Sequence, residues 1–261
     1  MDLKAWKLKR GGEKPGAETD ASFERQHMIA SNMNFAASEA YKLLRTNILF
    51  SFSGSEGCRV IGMTSSFRGE GKSLTSVNLA YTLAVSGRSV LLIEGDMRLP
   101  ALAKRLGLRT TPGLSNLLVG ISGDSIQAFG VNSDEGVSAS VDVLVSGDVP
   151  PNPSELLGSE HMQALLATLR NHYEYIILDL PPVTAVSDAL VACKLVDGMI
   201  VVVRNNHADR HALAETIRQL KLVDAHILGF VFNGASDSGS GYYRGRKYYK
   251  KHYYYYKKKD D

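Results

Sequence analysis

The sequence predicts an α/β protein built on a mostly parallel sheet with helices on both faces. Three observations carry this. Short apolar runs recur along the chain with amphipathic helix-length segments between them, the pattern of strands buried on both faces. A glycine-rich loop joins the first apolar run to the first long helix after it. The two ends differ in composition from the middle, so residues 35–234 read as one domain between a polar N-terminal arm, 1–34, and a tyrosine-rich tail, 235–261. The chain has 261 residues, 44% of them hydrophobic, which suffices for one sizeable core.

Taken in order, the arm centres on GGEKPG and is read as flexible. Ser38 to Phe50 reads as an amphipathic helix with Ser38 as N-cap, and with Leu43, Ile48 and Phe50 as its apolar surface. Val60 to Met63 is a short buried strand. Ser73 to Ser86 is a helix closed by Gly87. Ser89 to Ile93 is the second strand. Residues 122–140 are polar and read as a loop before a third strand, Val141 to Val145. Glu160 to Arg170 is helical, and Tyr175 to Leu178 and Met199 to Val203 are strands. Ala208 to Leu222 is a helix with Leu213, Ile217 and Leu220 on one stripe, and Ile227 to Phe232 is the last strand.

The tail departs from all of this. Tyr242 to Asp261 holds eight of the twelve tyrosines among eight Lys and Arg and two Asp. It has no apolar periodicity and almost no aliphatic content, so it is expected to be disordered. It also carries about +6 of charge, so that residues 1–241 sum to −3 although the whole chain is +3. A mildly acidic body argues against nucleic-acid binding by the folded part. Cys58 and Cys193 have no metal-ligand spacing and fit a reducing compartment. The N-terminus lacks the apolar core of a signal peptide. No run approaches the ~20 apolar residues that span a bilayer; the best, Leu195 to Val203, is short and interrupted by Asp197. The expectation is a cytoplasmic protein that reaches a membrane only through a partner.

The chemistry lies in three motifs. Ser66-Phe-Arg-Gly-Glu-Gly-Lys-Ser73 follows a strand and opens a helix, which is the P-loop pattern with Ser66 in place of the first glycine. Gly69 and Gly71 let backbone N–H groups converge on phosphate oxygens, and the helix N-terminus adds positive potential. Lys72 is expected on the β- and γ-phosphates and Ser73 on Mg²⁺; Ser66, Glu70 and Leu74 complete the predicted nucleotide cradle. The competing reading, a structural glycine turn, does not account for Lys-Ser at this offset. Tyr175-Ile-Ile-Leu-Asp179 is an apolar strand ending in an aspartate, the place of a Walker B metal-holding carboxylate; the plainer reading is a strand-end Asp capping the next turn. Leu91-Leu-Ile-Glu94-Gly-Asp96-Met-Arg98 sets two carboxylates at i and i+2 just after a strand. One is suited to positioning Mg²⁺ and one to accepting a proton from an attacking hydroxyl.

Together SSFRGEGKS, LLIEGDMRLP, YIILDLPPV, the segment PPNPSELL and the tyrosine cluster resemble the bacterial tyrosine kinases of capsule and exopolysaccharide synthesis, which are P-loop NTPases. The resemblance runs from about residue 35 to the end. It implies Lys72 and Ser73 as Walker A residues, Asp96 and Arg98 as the second Asp and the Arg of a Walker A′ motif, and Asp179 as Walker B. Glu94 stands where that family has the first Walker A′ Asp. Glu39, Lys42 and Arg45 fall on an oligomerisation motif, Lys42 replacing an Arg and so lacking its bidentate fork.

The resemblance further implies ATP and Mg²⁺ as cofactors, a ring-like homo-oligomer, a membrane activator of the chain-length-regulator type that recruits the protein to the inner face of the membrane, and a dedicated tyrosine phosphatase. Within it, Asp96 is the expected proton acceptor, with Glu94 second. The expected phosphoacceptors are Tyr242, Tyr243, Tyr248, Tyr249, Tyr253, Tyr254, Tyr255 and Tyr256. Two other readings remain open from the residues alone. One is a partition-type ATPase, although Phe67, followed by Arg68, stands where those proteins have a signature lysine. The other is an ATP-gated module whose tail binds polyanions.

Overall fold

The computed structural model describes residues 35–234 except 55, 122, 133–137, 206 and 208; the arm, the tail and its tyrosines lie outside the described residues. Seven strands form a single sheet in the order β3-β4-β2-β5-β1-β6-β7. They are β1 (Arg59–Ser65), β2 (Val90–Glu94), β3 (Ile126–Asn132), β4 (Ser138–Leu144), β5 (Tyr175–Asp179), β6 (Gly198–Arg204) and β7 (Ile227–Asn233). All neighbours are parallel except β3, which runs antiparallel on the β4 edge.

Alternation along the strands splits the core in two. Val60, Leu91, Ile93, Ile176, Leu178, Met199 and Val201 face one cluster, while Ile61, Met63, Leu92, Ile177, Ile200 and Val202 face the other. Helices cover both faces. α1 (Phe35–Ser51), α2 (Lys72–Val85) and α3 (Leu102–Leu106) lie on the second cluster. α4 (Leu114–Leu118), α5 (Pro153–Leu157), α6 (Glu160–Leu169), α7 (Asp188–Ala192) and α8 (Arg210–Leu222) lie on the first. Gly87 follows α2 with a left-handed backbone, φ 84°, as a helix terminator should. Ser159 and Asp209 cap α6 and α8 through their side chains.

Three local expectations need correction. Residues 126–132, within the stretch read as a loop, form β3. Its Ile126, Phe129 and Val131 are apolar, but the polar residues on either side, at 122–125 and 132–135, outweigh that short run in a reading of the whole stretch. α1 begins at Phe35, so Ser38 lies inside it rather than capping it. Its buried face is Ile48, flanked by the partly buried Leu44, whereas Leu43 and Phe50 are 61% and 72% exposed. Positions 44 and 48 share one stripe of the helix, and 43 and 50 fall outside it.

Candidate active site

β1 delivers the chain into the P-loop at the C-terminal end of the sheet, where parallel α/β sheets place their ligands. Ser65 closes the strand end by donating its hydroxyl to the Phe67 carbonyl at 2.7 Å. The loop then turns on Gly69 and Gly71, with φ of 80° and 89°. Gly71 directly precedes α2, so the free N–H groups of the first turn face the loop. A side chain at Gly71 is disfavoured by its left-handed backbone, and a Cβ would lie 2.0 Å from the Asn233 amide nitrogen, forcing that amide away from the Glu70 carbonyl it binds.

The loop is tied to the strands beside it. Glu70, 1% exposed, folds inward and accepts the Phe67 N–H at 2.8 Å. Its side chain therefore shapes the loop, and its backbone is what remains for phosphate. Ser66 is buried and held by Thr184 on its carbonyl and Thr216 on its hydroxyl. It supports the loop from beneath. From the far edge, Arg204 donates to the Gly69 carbonyl at 2.9 Å and Asn233 to the Glu70 carbonyl at 3.0 Å. Leu74 is half-buried against the second core cluster.

Lys72 occupies the centre. Its ammonium lies 3.5 Å from Asp96 Oδ2 and 3.5 Å from Asp179 Oδ1, and 3.4 Å from the Ser73 hydroxyl. Asp179 is 1% exposed and Asp96 8%. Three motifs separated by as much as 107 residues thus meet around one positive charge. Ser76, unforeseen from the sequence, helps hold Asp179, donating to Oδ1 at 3.2 Å. Its offset of one helical turn from Lys72 was the available signal.

The donor set fits Mg²⁺. One hydroxyl and two carboxylates converge on a single cationic position, the hard oxygen ligation that this ion takes. No cluster of three His, Cys, Asp or Glu forms among the described residues. An ion held here by Ser73, Asp96 and Asp179 would therefore complete its shell with phosphate oxygens and water.

Glu94 sits differently from Asp96. Its carboxylate is 2% exposed and accepts three backbone N–H groups, from Ala101 at 2.5 Å, Leu102 at 2.7 Å and Ser146 at 3.0 Å. It caps α3 and joins the ends of β2 and β4. Burial pushes its carboxyl above the ordinary range, against the pull of those three donors, and the Asp179 charge adds to the rise. Arg98 makes a fork onto Asp188, with Nε to Oδ2 at 3.0 Å and Nη2 to Oδ1 at 3.1 Å. On α1, Lys42 and Glu39 pair at 2.9 Å on the exposed face. Arg45 instead donates to the Thr82 carbonyl within its own chain at 3.1 Å.

Comparison with known proteins bears on this geometry. The chain matches the AAA-domain family over residues 58–229. It is 35% identical over 213 residues to the tyrosine-protein kinase YwqD of Bacillus subtilis, covering 79% of this chain and 86% of that one. The chain belongs to the bacterial tyrosine-kinase family. The kinase is also 34% identical over 209 residues to tyrosine-protein kinase CpsD of Streptococcus agalactiae, covering 78% and 85% of the two chains. Its structure matches the kinase domain of the Escherichia coli tyrosine kinase ETK with a TM-score of 0.72 and 31% identity, covering 81% of each chain. The protein is therefore a tyrosine-protein kinase on a P-loop NTPase fold. Among its described residues no helix is long and apolar enough to cross a membrane.

Proposed function

We propose that this kinase transfers the γ-phosphoryl group of ATP to the tyrosines of its own C-terminal tail, between subunits of a homo-oligomer, and so regulates capsule or exopolysaccharide synthesis. The observation that carries the reading is the Lys72 ammonium held 3.5 Å from both Asp96 and Asp179 at the mouth of the P-loop. The turns at Gly69 and Gly71 bind the phosphate chain through backbone N–H groups, and Lys72 moves from its carboxylates onto the β- and γ-oxygens. Ser73, Asp96 and Asp179 are the residues that would hold Mg²⁺, which when bound would supply charge neutralisation for the transferring group.

A tyrosine phenol has a pKa near ~10 and attacks slowly at neutral pH unless a base takes its proton. Asp96 fills that role. The phenolic oxygen bonds to the γ-phosphorus, the bond to the β,γ-bridging oxygen breaks, ADP leaves and the proton passes to Asp96 Oδ. Glu94, engaged by three backbone donors, serves as an anchor. Catalytic participation of Arg98 is indirect, through the turn that carries Asp96.

The acceptors are Tyr242, Tyr243, Tyr248, Tyr249, Tyr253, Tyr254, Tyr255 and Tyr256. Twenty residues separate Asn233 from Tyr253, a span of up to roughly 65 Å, which suits entry into a neighbouring subunit. The exposed Glu39 and Lys42 on α1 supply a polar contact for that neighbour. Each phosphate adds about −1.5 to −2 charges, so full phosphorylation inverts the basic tail and loosens the ring. The further partners are a membrane activator, which brings the protein to the inner face of the membrane, and a tyrosine phosphatase.

The test is intact mass after incubation with Mg-ATP and the cytoplasmic segment of a candidate activator. The full chain is expected to gain successive additions of ~80 Da, the mass of a phosphoryl group. Lys72→Met, Asp96→Asn and a chain ending at Ser240 are expected to gain none. Phosphorylation of the shortened chain, or of Asp96→Asn, refutes the corresponding assignment.

A further inference from the structure

Asp188 is a fully buried carboxylate, 0% exposed, at the first residue of α7. It is bound by the Arg98 fork at 3.0 and 3.1 Å and by the Ser154 hydroxyl. Ser154 also accepts from Arg98 Nη2 at 3.1 Å, closing a triangle between α5, α7 and the loop after β2. Burying a carboxylate costs several kcal/mol unless it is well paired, and an apolar contact of similar volume is often as stable. The triangle therefore calls for a reason beyond packing.

Its position supplies one. Arg98 lies within the turn that Asp96 itself closes, accepting the Leu99 N–H at 3.2 Å. α7 follows Asp179 by nine residues, across Pro181 and Pro182. The Arg98–Asp188 pair thus clamps the segment carrying Asp96 to the segment carrying Asp179. A backbone bond from the Gly95 N–H to the Asp179 carbonyl, 2.8 Å, links the same two segments closer to the sheet. We propose that Asp188 is a positioning residue for phosphoryl transfer: through Arg98 it holds the Asp96 turn at a fixed distance from Asp179 and Lys72. The proposal rests on the reading of Asp96 as proton acceptor. It needs no contact between Asp188 and nucleotide.

Asp188→Asn is nearly isosteric but gives up one acceptor oxygen and the charge. Misplacing a catalytic group by about 1 Å costs on the order of 100-fold in rate. The expected result is a roughly ten- to hundred-fold fall in kcat for tyrosine phosphorylation, with the Kd for a non-hydrolysable ATP analogue changed by less than about two-fold. Arg98→Gln is expected to lose a similar factor. The double variant, which leaves no buried charge unpaired, is expected to lose no more than either single. Arg98→Lys, keeping charge without the fork, should fall between. Arg88→Gln, which breaks an ion pair at the opposite end of β2, should leave kcat unchanged.

Full kcat in Asp188→Asn overturns the proposal, as do losses that multiply in the double variant. So does an equal loss in Arg88→Gln, which would mark a general loss of stability. If Asp188→Asn fails to fold, Arg98→Lys and the double variant carry the test. Failure of the Asp96 reading is separate: there Asp96→Asn itself keeps its activity, whatever Asp188→Asn does.

Discussion

Replacing Glu94 distinguishes an anchor from a base. In Glu94→Ala the N–H groups of Ala101, Leu102 and Ser146 lose their acceptor in a site that is 2% exposed. An unsatisfied buried donor costs about 1–3 kcal/mol. With water entering the truncated site, the lower part of that range applies, so the total is about 3–6 kcal/mol. For a domain of this size each kcal/mol lowers Tm by roughly 2–4 °C, so thermal unfolding should shift down by about 6–24 °C. Glu94→Gln keeps an oxygen for Ala101 and Leu102 but turns an amide N–H toward Ser146. One donor is orphaned, and relief from the buried charge offsets part of the loss, leaving about 1–2 kcal/mol.

The pH dependence has a definite sign. The folded carboxyl of Glu94 titrates above its ordinary range because of burial, so its contribution is fully present below the unfolded value and is lost as pH rises through the folded one. Glu94→Gln should remove that loss and flatten stability in this window. Urea unfolding across pH, paired with initial rates of tyrosine phosphorylation, reads both effects. The anchor assignment fails if Glu94→Gln is as inactive as Asp96→Asn while unfolding like the parent, or if Glu94→Ala costs less than ~1 kcal/mol, below one orphaned donor.

Gly71→Ala should weaken nucleotide binding at least about ten-fold by calorimetry, because a left-handed alanine costs about 1–2 kcal/mol and its Cβ collides with Asn233; unchanged affinity would falsify the loop geometry. Cys58 and Cys193 are buried, and burial pushes both thiols up to about 11. Native protein at pH 8 should therefore resist alkylation that goes to completion at both sites in denaturant, and two rapid native additions by mass would contradict the packing. The hydrogen bonds from Arg218 and Gln219 hold the Glu215 carboxyl down at about 2. Arg218→Ala should return it toward ~4.3, the free-carboxylate value, in an NMR titration, and no movement would show that the pair is not formed in solution.

The parts of the site written as local patterns were legible in the sequence. The P-loop, Asp179 at the end of an apolar strand, and Asp96 after β2 are each defined by residues close in the chain, and topology then brings them to Lys72. What escaped is what depends on tertiary approach. Asp188 and Ser154 lie 90 and 56 residues from Arg98, and no spacing announces their meeting. Glu94 and Asp96, two residues apart at the end of the same strand, diverge in three dimensions: one points at the ends of α3 and β4 and the other at Lys72 of the P-loop. β3 escapes notice because its short apolar run is flanked by polar residues on both sides, and the buried stripe of α1 is hard to read because Leu43 and Phe50 are apolar yet face outward.

The bond between Asn233 and the P-loop fixes where the tail leaves the fold. β7 ends against Gly71 and Glu70, so under the proposed function the tail tyrosines are substrates tethered to the assembly that phosphorylates them. A tethered substrate meets sites within its reach at an effective concentration in the millimolar range, whatever its intrinsic affinity. Such an enzyme has no need for a groove that reads sequence around the acceptor. On that proposal, runs such as Tyr253 to Tyr256, flanked by little but Lys and His, would be adequate substrates, and the length of the tether, more than the identity of the residues in it, would decide which tyrosines are used.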